Sequence, residues 1–72
     1  MSRPHPDPRI LATRMSAARQ ATGLTQRRLA ARLGVSASTV AMWESGHRTP
    51  SVYDLHAYLR VVGARIVLGA PA

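Results

Sequence analysis

The chain contains no cysteine and no lysine, and its only acidic residues are Asp7, Glu44 and Asp54. Without cysteine there is no disulfide and no thiolate metal site, and nothing calls for an oxidising compartment. The three acids do not cluster and no nucleophile stands beside a candidate base, so catalytic machinery is not visible. His5, His47 and His56 lack the spacing of metal ligands. No uncharged stretch is long enough to span a bilayer, and no continuous apolar segment follows the first arginine as it would in a signal peptide. The expectation from these absences is a soluble, cytoplasmic, non-enzymatic chain with neither cofactor nor metal.

What the chain has instead is arginine. All ten basic residues are of this type, giving a net charge of +7 in 72 residues. Such a field attracts polyanions, with nucleic acid and an anionic membrane surface as the two candidates. The guanidinium fork suits phosphates and guanine edges better than a lysine ammonium does. A chain of this length buries only about 60–65% of its unfolded surface. It therefore folds as one small domain around one core, with no space for a cofactor domain.

Residues 1–8 carry Pro4, Pro6 and Pro8 and read as an extended, basic arm. Pro8 also suits the first turn of a helix capped by Asp7. Residues 9–62 read as four helices. The first places Ile10, Leu11, Met15 and Ala18 inward and stops at Gly23. Thr25 caps a second, Gln26 to Leu33, with Leu29, Ala30 and Leu33 inside and Arg27, Arg28 and Arg32 outside. Ser36 caps a third that runs to about Ser45, with Val40 and Trp43 inward, and Gly46 ends it. After the loop His47-Arg48-Thr49-Pro50, a Ser51-x-x-Asp54 capping arrangement opens a fourth, whose buried face is Val52, Leu55 and Leu59. This pattern is broken and core-forming, unlike the single basic amphipathic face of a membrane-surface peptide.

Between Thr25 and Gly46 stand two short capped helices, a glycine turn at Gly34 and an inward Val35. That is what two helices need to pack at a steep angle while one stays free to enter a major groove. From about Leu11 to Leu59 the chain resembles the phage-repressor/Cro-type (xenobiotic-response-element) helix-turn-helix family. The resemblance is carried by Gly23-Leu24-Thr25-Gln26, Leu29-Ala30, Leu33-Gly34-Val35-Ser36, Thr39-Val40, Trp43-Glu44, Gly46 and Pro50. It implies an all-α, compact four-helix, lambda-repressor-like domain that binds double-stranded DNA in the nucleoid as a transcriptional regulator, chiefly a repressor.

The resemblance also implies roles. Ala37, Ser38, Ala41 and Met42 would face base edges, and Gln26, Ser36, Thr39, Ser45 and Arg48 would meet phosphates. Arg19 and Glu44 match a structural ion pair. Here the chain departs from its relatives, which often place Gln, Asn, Lys or Arg at the base-facing positions. Ala, Ser and Met make no bidentate base pair, so the expectation is modest selectivity with affinity resting on arginine–phosphate contacts.

Residues 63–72 read as a strand and tail. Arg65, Ile66, Val67 and Leu68 form a short strand with no partner elsewhere in the chain. Either the same strand of a second copy pairs with it under two-fold symmetry, making a homodimer that reads an inverted repeat, or Ile66 and Leu68 fold back on their own core. Helix, glycine and strand together resemble the tail of HipB-like antitoxins. A second function follows: an antitoxin that binds a partner toxin, or another regulator, and represses its own operon.

Overall fold

The computed structural model describes residues 7–64, and they form four helices. These are α1 (Pro8–Thr22), α2 (Gln26–Leu33), α3 (Ala37–Ser45) and α4 (Val52–Val62). The all-α, four-helix expectation is met. The strand expected at Arg65–Leu68, and most of the basic arm, lie outside the described residues.

Each helix begins where a side chain can accept a free backbone amide. Asp7 Oδ1 accepts from the Arg9 amide at 2.9 Å, and Thr25, Ser36 and Ser51 each accept from the amide three residues on at 3.1 Å. Such caps each contribute about 1 kcal/mol. At Ser51 only the serine half of the expected capping box is formed, since no return bond from Asp54 accompanies it among the described residues.

The core is one cluster. Met15, Leu29, Val40 and Tyr58 are almost wholly enclosed, with Ala30, Trp43 and Val62 around them. Helices α3 and α4 each pack against both α1 and α2. Every helix thus contributes a residue to the same centre, and none can leave without opening it.

Two inward assignments are corrected. Ile10 is 55% exposed, because at about 100° per residue it lies roughly 140° around α1 from the buried Met15. Ala12, on the core side, is buried instead. Val52 is 80% exposed, because it stands at the start of α4 while the enclosed positions are Tyr58 and Val62 in the helix's later turns.

Gly46 joins α3 to the rest of the bundle. It takes φ +79°, and a Cβ there would sit 3.4 Å from Arg9 Cγ and 3.8 Å from Ala12 Cβ, both on α1. Gly34 has a similar φ of +71° but nothing within 4 Å. Both glycines relieve left-handed strain of about 1 kcal/mol, and the contacts at Gly46 are of ordinary van der Waals length. Gly46→Ala and Gly34→Ala are therefore each expected to destabilise by about 1 kcal/mol, in urea unfolding followed by circular dichroism. A markedly larger loss at Gly46 would mean that the approach of α1 tolerates no added methyl group.

Candidate nucleic-acid interface

The expected reading element is α3, and one carboxylate fixes its position. Glu44 lies on the inner side of α3, and its side chain is only 4% exposed. Arg19 of α1 donates through Nε to both carboxylate oxygens, at 2.8 and 3.0 Å. A second Arg19 nitrogen, Nη1, donates to the Leu24 carbonyl at 2.8 Å, tying the α1–α2 turn into the same cluster. Gln26 Nε2, in the first turn of α2, donates to Glu44 Oε1 at 3.1 Å. The Tyr58 hydroxyl of α4 lies 2.7 Å from Glu44 Oε2 and 2.8 Å from the Met15 carbonyl oxygen. Its single proton is shared between those two acceptors.

All four helices therefore converge on one charge. Burial works against ionisation of Glu44, but hydrogen bonds from Arg19, Tyr58 and Gln26 outweigh it and hold its pKa below the ordinary carboxylate value. Burial, with the Glu44 carboxylate beside it, pushes the Tyr58 phenol well above its usual pKa, so it remains a donor. Among the described residues, no buried side-chain polar atom lacks a partner. Tyr58 is the member of this cluster that sequence reasoning missed. Its helical spacing marks it as core, but only the folded backbone brings its hydroxyl to Glu44, 14 residues away.

The outer side of α3 carries the residues expected to meet bases. Ser38 is exposed, and Ala41 and Met42 are half-buried on the same side of the helix. Ala37 is at the margin and packs partly against the core. The exposed Ser45 lies close to Ser38 around the axis, two turns along. Glu44 is the only ionisable residue in α3, and it is turned inward.

The hydroxyls beside this face are partly committed. Ser36 Oγ and Thr39 Oγ1 share a hydrogen bond at 2.9 Å, which uses one of their two protons and leaves the other free to donate. Ser45 Oγ donates to the Met42 carbonyl at 3.1 Å and accepts from the His47 amide. The His47 and Arg48 amides both bond to the Met42 carbonyl, at 3.0 and 3.2 Å. That folds the loop back onto the end of α3 and fixes the backbone that presents the exposed Arg48. No group of three or more potential metal-ligating side chains occurs among the described residues, and no described helix is long and apolar enough to cross a membrane.

The sequence model of the helix-turn-helix family matches residues 15–67. Among solved structures, the restriction-modification controller protein C.AhdI from Aeromonas hydrophila is similar with a TM-score of 0.77 and 27% identity, over 82% of this chain and 86% of that one. The clp gene regulator ClgR from C. glutamicum gives a TM-score of 0.79 at 26% identity, over 90% and 85% of the two chains. A HipB variant in its complex with an O2 20mer gives 0.77 across the full length of both chains, at 22% identity a likeness of fold. Among curated proteins, none matches.

The Glu44 cluster predicts an acid limit to stability. Its folded-state pKa lies below the unfolded value of about 4.3. Its contribution is therefore complete above that value and is lost as pH falls through the folded one. Urea unfolding between pH 3 and 7 should show that component in the wild type and not in Glu44→Gln. Glu44→Gln should also cost about 3 kcal/mol or more at neutral pH, because it leaves Arg19 unpaired. Tyr58→Phe, which keeps the packing, should cost about 1.5–3 kcal/mol. Parallel pH profiles for the wild type and Glu44→Gln would remove the carboxylate from its central role.

Proposed function

The chain belongs to the helix-turn-helix family of XRE-type DNA-binding transcription regulators, and on that premise we propose that it is a repressor binding an inverted repeat as a homodimer. In this reading α3 enters the major groove. Ser38, Ala41 and Met42 lie against base edges, with Ala37 at the entrance. Arg48, Ser45, Thr39 and Ser36 hold phosphates, the last two through the one proton their hydroxyl pair has to spare. Gln26 supports α3 through Glu44 and turns its second amide hydrogen to the backbone.

The observation that carries this reading is the division of α3 into a side locked to three other helices and an outer side carrying Ser38, Ala41, Met42 and Ser45. A recognition element needs both: a fixed orientation and a surface not consumed by the fold. The outer side holds no Arg, Asn or Gln, so no bidentate base contact, each worth about 1–3 kcal/mol, is available from it. Occupying a site and excluding polymerase then depends on phosphate contacts and on the pairing of two chains. The segment Arg65–Leu68 is the proposed site of that pairing.

A second reading is an antitoxin that captures a toxin and represses its own operon. It is favoured by the end-to-end match in fold with HipB, a protein also solved in a HipA-HipB-O2-O3 complex. The two readings share the DNA-binding step and differ in a protein partner.

Fluorescence anisotropy on the DNA upstream of the gene and on scrambled DNA, at several salt concentrations, tests both. The expected result is tighter binding to the upstream DNA, with a preference below about 10⁵-fold and a steep salt dependence. Arg48→Ala should weaken both DNAs alike, and Ser38→Ala should reduce the preference. Absence of binding to either DNA at about 10 μM and low salt would overturn the repressor reading and turn attention to capture of a protein partner.

A further inference from the structure

Helices α1 and α4 match or offset their dipoles. The first turn of α1 holds no acid, but its Arg9 is paired with the cap Asp7, and Arg19 lies in its last turn; Asp54 is in the first turn of α4 and Arg60 in its last. Helix α2 does the opposite at its start. It has no acid in the first turn, where Arg27 and Arg28 stand beside the positive end of the dipole. Arg28 and Arg32, four residues apart, form a like-charge pair on one face. Each arrangement destabilises an isolated helix.

Nothing in the described structure compensates. Arg27, Arg28 and Arg32 are exposed on the side of α2 opposite Leu29 and Ala30, which are buried. Among the described residues the two ion pairs are Arg9–Asp7 and Arg19–Glu44, so neither of those carboxylates is left for α2. A local rule broken without an internal gain marks a surface whose partner lies outside the chain. Three guanidinium groups with no carboxylate select an anion, and the family places one alongside. When the second helix of a helix-turn-helix lies in the groove, the first crosses the sugar–phosphate backbone. The Gln26–Glu44 bond ties the first turn of α2 to α3, so these arginines move with the recognition element. The outer side of α3 has no cation of its own, so the counter-charge must come from its flanks.

We propose that the outer face of α2 is a phosphate-binding face, in which Arg27, Arg28 and Arg32 hold the DNA backbone beside the groove that α3 occupies. This rests on the DNA-binding reading above and extends it. Arg48 would clamp one flank of α3 and the α2 arginines the other. The bonds are to phosphate, so they add affinity without sequence preference.

The test compares the full-length wild type with the triple variant Arg27→Gln, Arg28→Gln, Arg32→Gln. A control removes arginines elsewhere on the surface, Arg14→Gln with Arg60→Gln. Binding to a random-sequence duplex is measured by anisotropy from about 50 to 200 mM salt, and thermal midpoints by circular dichroism. Removing one arginine–phosphate pair should flatten the log–log salt slope by about 0.9, a factor of about 3.5 across that range. The expected result is a slope flatter by about 1–3 in the triple variant, an unchanged or higher melting temperature, and little change in the control.

Arg28→Glu provides a second readout, because it places an acid in the first turn and an ion pair with Arg32. It should raise the melting temperature while weakening DNA binding. A lower melting temperature would assign Arg28 to folding and overturn the proposal. So would a salt slope unchanged in the triple variant, or flattened equally per charge by the control. If Arg48→Ala still flattened the slope in those cases, the DNA-binding reading would stand without α2. Failure of the wild type to bind at all would overturn both.

Discussion

The fold hangs on the carboxylate of Glu44. Arg19, Gln26 and Tyr58 reach it from α1, α2 and α4, while Glu44 itself belongs to α3. A charge so nearly enclosed would be prohibitive alone, because desolvation costs several kcal/mol per ion. It is tolerated because charge-assisted hydrogen bonds reach both oxygens, and such bonds are about twice as strong as neutral ones. An apolar cluster of the same volume could stabilise the bundle equally well. Apolar contact is non-directional, whereas hydrogen bonds have a preferred geometry. Bonds at 2.7–3.1 Å from three directions therefore fix the orientation of α3. The polar cluster sets orientation, and the apolar core around Met15, Leu29 and Val40 supplies cohesion.

Much of this architecture was legible because it is local. Asp7, Thr25, Ser36 and Ser51 announce helix starts by a mechanism spanning three residues, and glycine announces each end. The helix bounds followed closely. The faces were less secure at the first turns, as Ile10 and Val52 show. Both are apolar, yet both stand at helix ends or angles that the core does not reach. Apolar identity licenses burial without requiring it in a domain this small. The link between Tyr58 and Glu44 was not legible, because no periodicity encodes where a hydroxyl on one helix meets a carboxylate on another. The Arg19–Glu44 pairing entered through family resemblance, and no spacing in the chain would have suggested it.

The uncharged outer side of α3 constrains mechanism as firmly as the charged interior does. Its hydroxyls are partly used within the protein: Ser45 is bonded to Met42 and His47, and Ser36 to Thr39. What remains is a surface of Ala41, Met42 and Ser38, suited to thymine methyls and groove shape more than to hydrogen-bond codes. In the proposed reading, affinity and selectivity are carried by different parts of the molecule. Arginines around α3 would supply a strong, salt-sensitive attraction to DNA of any sequence, while α3 would add a modest preference.

Such a division makes a single domain a poor discriminator, and the remedy is geometric. A preference of a few kcal/mol per chain roughly doubles when two chains engage half-sites one turn apart. The same pairing doubles the sequence-independent attraction, so the ratio improves only if the spacing between the two α3 helices is fixed. Rigidity inside each chain is the first requirement for that, since a loosely held α3 would blur any spacing imposed from outside. The Glu44 cluster meets this requirement within the chain; in the proposed homodimer it would let a second α3 be placed in register with the first.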